Sequence, residues 1–254
     1  MARATHTAGQ RLLDRVIERA AEHSAAGNHD TADLLYEQVL DVEPDNAEAQ
    51  EHALRQRSLA RRMVGRFARP ALEGLAQRPR IWKYRVLSTC SRVTGDPIVL
   101  QPVLFAGPGE IALGEGVQFG WPASPLFYTG YCYVEASRQH ARIEVGDRTE
   151  FNNNLMIKSE GAGIRVGRDG LLGAQIEIFD SNFHDLDPAR RRESTQKMAP
   201  VQIGDNVFVG MSVKILKGVT IGSDSVIGAG SVVSSSIPAG VVAAGNPARV
   251  LREL

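Results

Sequence analysis

The sequence predicts a mainly β protein, a parallel β-helix preceded by a helical domain. A small aliphatic residue recurs at every sixth position, at Ile203, Val209, Ile215, Ile221, Ile227 and Val233. This period is neither that of a helix nor that of a strand, but it is typical of a parallel β-helix, in which each hexapeptide supplies one short strand and one corner. Three hexapeptides close a triangular coil, so Ile203 should stack under Ile221. The composition agrees, because 25 glycines with only 8 Phe, 5 Tyr and 2 Trp favour a turn-rich body.

The same rhythm recurs upstream, where it is interrupted several times. It is visible at Leu113, Phe119, Val145, Phe151, Ile157, Val166, Leu172 and Ile178. Between Ile178 and Ile203 the stretch SNFHDLDPARRRESTQKMAPVQ is too polar and too long for one corner, so we expect it to leave the coil as a loop. Loops of this length in a compact fold are usually functional or disordered, and this one contains His184.

Residues 1–69 have helical patterns instead. Leu12, Leu13, Val16 and Ile17 have helical spacing, as do Leu34, Leu35, Val39 and Leu40. Ala20, Gly27, Ala32, Tyr36 and Pro44 lie close to the small, aromatic and proline positions of a single tetratricopeptide unit. We expect a third helix from about Ala47 to Phe67, then a linker with one more short helix in residues 70–100, and the β-helix in residues 101–254.

The third predicted helix is basic, with Arg55, Arg57, Arg61, Arg62, Arg66 and Arg69. A charged run of this kind is usually a solvated face, and the alternative is a docking surface for an anionic polymer, a membrane or a protein partner. For the whole chain, 29 basic residues balance 29 acidic ones, which gives no reason to expect nucleic acid as a partner.

The cysteines and the N-terminus add little chemistry. Cys90 and Cys132 form neither a disulfide framework nor a metal-binding spacing, and we interpret them as small buried side chains. The N-terminus lacks the apolar region of a signal peptide, and no window approaches the ~18 apolar residues of a membrane span. We therefore expect a cytoplasmic protein.

The C-terminal half resembles the hexapeptide-repeat acyltransferases, in the branch that contains maltose, galactoside and capsule or lipopolysaccharide O-acetyltransferases. The resemblance covers about Leu113 to Leu254. Its most specific pieces are DSNFH (residues 180–184), IGAGSVV (227–233) and AAGNPARV (243–250). It implies a left-handed β-helix, a homotrimer, and acetyl-CoA in a groove between subunits, with a sugar or polysaccharide hydroxyl as acceptor.

By this resemblance His184 is the general base. Histidine is partly neutral at working pH, so it can take the proton of an attacking hydroxyl and return it to the leaving thiolate. Asp180 and Asp185 are both candidates for orienting the imidazole. Family members commonly have aspartate at Asn182, whose role is therefore in doubt. Asn152 matches an asparagine that faces the acceptor, although asparagine also suits left-handed corners, which is our interpretation of its neighbours Asn153 and Asn154.

The resemblance also implies a set of coenzyme contacts. Gly210, Met211 and Ala229 match positions along the pantetheine arm, and Phe208 stands where the family usually has tryptophan. Ser234 and Ser235 replace a common Thr-Lys pair at the nucleotide end, which leaves Arg249 as the remaining cationic candidate. The coil needs small residues at several of these corners whether or not a ligand binds.

Three alternatives accompany this interpretation. An N-acyltransferase acting on a nucleotide-linked amino sugar would have the same fold and donor. A zinc carbonic anhydrase needs three histidines, whereas only His140 and His184 follow residue 110, and no metal is expected. A non-enzymatic scaffold would fail to bind CoA.

The aromatic residues of FGWPASPLFYTGYCY (119–133) could form a wall of the acceptor site, but we favour packing at the end of the coil or in the subunit seam.

Overall fold

The computed structural model describes residues 8–193 and 197–254; the side chains of residues 8–12, 29–30 and 56–71 lie outside the described part. The chain divides into two compact units, residues 1–73 and 74–254. Within the described ranges, none of the helices combines the length and the apolar character that a membrane span requires.

The first unit is built from helices α1 (Ala8–Ala25), α2 (His29–Val42) and the first part of α3 (Ala47–Leu87). Its core consists of Leu13, Ala20, Tyr36, Val39 and Ala49. The Tyr36 hydroxyl donates a 3.0 Å hydrogen bond to Glu48, and its ring stacks on His52 at 4.3 Å. Asn46 caps α3, since its Oδ1 accepts a hydrogen bond from the Ala49 N–H.

Helix α3 is longer than expected. We predicted a helix ending near Phe67 and a separate short helix, but α3 is continuous from Ala47 to Leu87 and passes through Pro70 and Pro79. Pro79 lies between Gln77 and Arg80, which donate to carbonyl oxygens of Phe127 and Gly130, and these contacts offset its unfavourable helix propensity. The side chains of the predicted arginine face after Arg55 lie outside the described residues, as does that of Leu12; Arg55 itself pairs with Glu51 at 2.6 Å.

The second unit is the predicted left-handed parallel β-helix, with three sheets in the part of the chain that the structure describes. The first sheet contains β1 (Val93–Thr94), β4 (Glu110–Leu113), β7 (Arg142–Val145), β10 (Ile164–Val166), β13 (Val201–Ile203) and β16 (Thr220–Ile221). The second contains β2 (Ile98–Val99), β5 (Gln118–Phe119), β8 (Glu150–Phe151), β11 (Leu171–Leu172), β14 (Phe208–Val209), β17 (Val226–Ile227), β19 (Val241–Gly245) and β20 (Ala248–Glu253). The third contains β3 (Val103–Ala106), β6 (Cys132–Ala136), β9 (Met156–Ser159), β12 (Glu177–Phe179), β15 (Lys214–Ile215) and β18 (Val232–Val233).

The strand register confirms the predicted stacking. Ile203 pairs with Ile221, Val209 with Ile227, and Ile215 with Val233, and all six side chains are buried. The upstream positions are equally buried, and Phe119 stacks on Phe151 at 5.2 Å between their ring centroids. The repeat therefore encodes a column of apolar side chains inside the triangular coil, whose burial is the main stabilising contribution.

Two insertions leave the coil. Residues 120–131 protrude between the second and third sheets, and the described residues 180–193 and 197–200 lie outside the coil between the third and first sheets. Elsewhere the corners are tight. A Cβ atom at Gly210 would lie 2.5 Å from the Ala229 nitrogen, which explains the glycine there. Asn154 has φ of 60°, as expected for a left-handed corner.

Candidate active site

The loop that bears His184 is anchored by Asp180. Asp180 is fully buried, and its carboxylate accepts hydrogen bonds from the Ser159 hydroxyl at 2.7 Å and from three backbone N–H groups, those of Glu160, Gly161 and Gly163. Its carbonyl oxygen accepts a further bond from Ala199 at the other end of the loop. Asp180 therefore joins both ends of the insertion to the adjacent coil.

The remaining residues of the DSNFH motif shape the start of the loop. The Ser181 hydroxyl accepts a hydrogen bond from the Phe183 N–H, and Phe183 has a left-handed backbone with φ of 62°. The Phe183 ring packs edge-on against Phe179 at 5.2 Å. Lys158 lies over the same ring at 5.4 Å. The neighbouring residue, His184, is thus presented from a fixed bend.

Lys158 belongs to a polar cluster on the outer face of the third sheet. Its ammonium lies 2.9 Å from Glu135, and Glu135 also accepts a hydrogen bond from the Tyr133 hydroxyl at 2.7 Å. Partial burial opposes ionisation of both Lys158 and Glu135. Hydrogen bonds from Tyr133 and Lys158 outweigh this effect at Glu135 and lower its pKa, whereas the interactions with Glu135 and Glu160 outweigh it at Lys158 and raise its pKa. Both side chains are therefore charged at neutral pH.

His184 itself is exposed, and its Nδ1 lies 3.1 Å from the carbonyl oxygen of Arg191. A carbonyl oxygen can only accept, so Nδ1 must carry the proton, and the neutral ring then has its basic lone pair on Nε2. In this structure the orienting partner is a backbone carbonyl and not Asp180, whose carboxylate is engaged elsewhere. The Asp185 carboxylate accepts from the Asp187 N–H and lies 3.5 Å from Arg190.

Asn152 lies in a groove of about 360 Å³ on the second sheet. The groove is lined by Gln118, Trp121, Glu150, Phe151, Asn152, Leu171, Leu172, Gly173 and Phe208. Asn152 is partly buried, and its Oδ1 accepts a hydrogen bond from the Asn153 N–H. Two predicted site residues, Asn152 and Phe208, are therefore brought to one groove.

The other coenzyme candidates fall at two corners. Gly210, Met211 and Ala229 lie where the second sheet turns into the third, directly after β14 and β17. Phe208 and Met211 are large apolar side chains that are about half exposed, which suits contact with a pantetheine chain. Ser234 and Ser235 follow β18 at the corner between the third and first sheets, which is also where the His184 loop leaves the coil. Arg249 is exposed on β20, and its Nη1 donates to the Ala248 carbonyl.

Sequence reasoning missed several residues that hold the site in shape. Asn153, interpreted as a corner, is fully buried and braces the insertion 120–131. Gln101 is fully buried, and Gln77 on α3 nearly so; both support the same insertion. For Gln101, the sequence did contain a signal of a structural role, because it is an amide residue among the aliphatic positions of the repeat. The roles of Asn153 and Gln77 depend on contacts distant in sequence.

Cys132 is fully buried, as predicted, and burial raises the pKa of its thiol to about 12. Cys90 is only partly buried. No cluster of three or more potential metal-binding His, Cys, Asp or Glu side chains occurs among the residues that the structure describes.

A triangular coil with a six-residue repeat and a histidine on a long excursion defines a hexapeptide-repeat protein, and comparisons with known proteins agree. Residues 200–235 match the family model described as bacterial transferase hexapeptide (six repeats). The chain is 38% identical over 151 residues to the galactoside O-acetyltransferase of Escherichia coli, covering 59% of this chain and 65% of that protein. It is 40% identical over 130 residues to a protein of Saccharomyces cerevisiae, covering 51% and 61%.

The chain is therefore similar to hexapeptide-repeat acetyltransferases over its C-terminal part. It spans less than two thirds of the length of the curated relatives that it matches. Among solved structures, it is similar to a galactoside acetyltransferase in complex with coenzyme A, with 29% identity and a TM-score of 0.43 over 56% of this chain and 65% of that one.

Proposed function

We propose that the protein is an O-acetyltransferase that transfers an acetyl group from acetyl-CoA to a hydroxyl of a sugar or polysaccharide. The proposed site lies between neighbouring subunits of a homotrimer. The match of residues 200–235 to the hexapeptide transferase model supports the reaction class, and the similarity to the galactoside O-acetyltransferase of Escherichia coli supports acetyl transfer to a sugar hydroxyl.

One observation carries the subunit arrangement. His184, Ser234 and Ser235 belong to the corner between the third and first sheets, whereas Asn152, Phe208 and Met211 belong to the second sheet and its following corner. The third sheet separates these two sets within one chain. A heterologous contact that brings one corner against the other closes into a ring of three and creates three equivalent sites.

In this proposal the Nε2 atom of His184 accepts the hydroxyl proton as the acceptor oxygen attacks the thioester carbonyl carbon. The carbon–sulfur bond then breaks, and His184 returns the proton to the departing sulfur, so no proton is left over. The Arg191 carbonyl keeps the proton of the neutral ring on Nδ1 throughout. We propose that Asp180 contributes by positioning the loop, and that Asn152 faces the acceptor.

The central test is His184→Ala, assayed by CoA release with a panel of oligosaccharides. We expect the variant to assemble normally and to lose about 10²–10⁴-fold in turnover, as is typical for a single acid–base group. Because His184 is exposed, its removal should leave thermal stability unchanged. Near-normal turnover with any accepted sugar would refute the proposal, and transfer to amino sugars alone would favour an N-acyltransferase.

A further inference from the structure

The insertion 120–131 is held by a buried amide at its first half. The Asn153 side chain has no exposed surface, and its Nδ2 donates to the carbonyl oxygens of Trp121, Ser124 and Pro125 at 2.8–3.1 Å. Its Oδ1 accepts a 2.9 Å bond from the Trp121 N–H. Both backbone groups of Trp121 are therefore bound by one rigid side chain.

Two more amides hold the second half of the insertion. Gln101 Nε2 donates to the Leu126 carbonyl at 2.9 Å, and Gln77 Nε2 donates to the Phe127 carbonyl at 2.7 Å. The Phe127 ring is buried. A buried polar network of this kind favours one conformation of the loop, since removing one of these amides would leave buried carbonyl groups unpaired.

The fixed insertion presents an exposed tryptophan to the groove. The Trp121 side chain is 47% exposed and lines the groove together with Asn152, although Phe119 and Phe127 in the same region are buried. Phe119 and Phe127 are therefore packed within the chain, in line with the packing role that we favoured for these aromatic residues, whereas Trp121 is half exposed in the single chain. A large apolar ring held in this way loses little conformational freedom when it contacts a ligand.

The groove combines groups that suit a carbohydrate ring. An indole face can cover the apolar C–H face of a pyranose, while Gln118, Glu150 and Asn152 can donate to or accept from its hydroxyls. Among the described residues that line the groove, Glu150 is the only one that ionises. Its negative charge would repel a uronic or sialic acid carboxylate at the same position.

We propose that Trp121 is a specificity-determining residue that stacks on a pyranose ring of the acceptor, and that Glu150 selects an uncharged ring over an acidic one. This proposal rests on the proposed transferase function, because the ring is assigned to the acceptor of that reaction. Asn153 is the positioning residue, because it fixes the Trp121 backbone without lining the groove.

Direct binding can be measured without catalysis, since the sequence contains only two tryptophans, Trp82 and Trp121. In the assembled Trp82→Phe variant, Trp121 is the only indole fluorophore. The probes are neutral trisaccharides of glucose, galactose and mannose, with trigalacturonate as the acidic counterpart. We expect acrylamide to quench Trp121, at least one neutral trisaccharide to shift its emission, and trigalacturonate to bind at least tenfold more weakly. Glu150→Gln should reduce that difference.

Kinetics in the otherwise native protein supply the second readout. Trp121→Ala should lower kcat/KM for the bound trisaccharide at least tenfold while leaving the KM for acetyl-CoA unchanged. Tyr128→Ala is the matched control, because Tyr128 is equally exposed on the same insertion but does not line the groove. It should have less than a twofold effect.

The two proposals can fail separately. Four outcomes would each overturn the proposed role of Trp121 in acceptor binding. They are emission that no neutral trisaccharide shifts, shielding of Trp121 from acrylamide by a neighbouring subunit, tighter binding of trigalacturonate, and equal effects of the Trp121 and Tyr128 variants. If acetyl transfer persists in those cases, the proposed transferase function still holds. Sugar binding at Trp121 without any acetyl transfer would instead support the binding role of Trp121 and refute the proposed transferase function.

Discussion

The subunit arrangement predicts that two inactive variants restore each other. His184→Ala removes the proposed base from one corner, and Asn152→Ala removes the acceptor-facing amide from the other. If each site takes His184 from one subunit and Asn152 from the next, neither homotrimer contains an intact site. Mixed trimers do contain one.

The magnitude follows from the three-fold arrangement. Going once around any mixed trimer, with two copies of either variant, only one of the three interfaces receives both wild-type residues. Mixed trimers should therefore have about one third of the wild-type turnover per trimer. The His184→Ala parent should have about 1% or less, since every site lacks the acid–base group. The Asn152→Ala parent should also fall well below the mixed trimers, since every site lacks the acceptor-facing amide.

The assay is co-expression of the two variants with different affinity tags, tandem purification of the mixed species, and measurement of CoA release with an accepted oligosaccharide. Mass measurement confirms that the species contains three chains. Mixed assemblies no more active than their parents would refute a shared site and locate all groups within one chain. Recovery of about one half would instead indicate a dimer with two sites.

Three further predictions follow from the contacts of the site and its surroundings. Asp180→Ala should lower the free energy of unfolding in urea by about 2–4 kcal/mol, since three backbone N–H groups lose their acceptor. The control Ser159→Ala removes one hydrogen bond and should lower it by only about 0.5–1.5 kcal/mol. Equal effects of the two variants would contradict the anchoring role of Asp180. Deletion of residues 1–73 should spare CoA binding and transfer to a short oligosaccharide. Deletion of residues 1–87 should impair transfer, because it also removes Gln77 and Arg80, which bind carbonyl oxygens of the 120–131 insertion. A truncated protein lacking residues 1–73 that binds CoA but no longer acetylates that oligosaccharide would show that the helices belong to the site. Cys132 should resist an aromatic disulfide reagent at pH 8 in the folded protein and react after unfolding, because burial keeps its thiol protonated with a pKa of about 12. The Cys90→Ser variant isolates the reaction of Cys132, and labelling of this variant while folded would disprove the prediction.

The sequence by itself determined the β-helix. A six-residue period can only bury one aliphatic side chain per face if the chain turns a corner after each strand, so the pairing of Ile203 with Ile221 was predictable without a structure. The excursion between Ile178 and Ile203 was predictable for the same reason, because polar residues cannot continue the apolar column. The role of His184 as the base is a prediction from its motif and its place on this excursion.

The tertiary structure alone decided how the site is supported. Asn153 and Gln101 act on backbone carbonyls about 30 and 25 positions away, and a period read along the chain contains no information about such contacts. Helix α3 continues past Pro79, where Gln77 and Arg80 are bound to the 120–131 insertion, a contact that local propensity cannot anticipate. The orienting partner of His184 is likewise a main-chain carbonyl, a group that every residue carries and that only the folded loop brings within 3.1 Å of the ring.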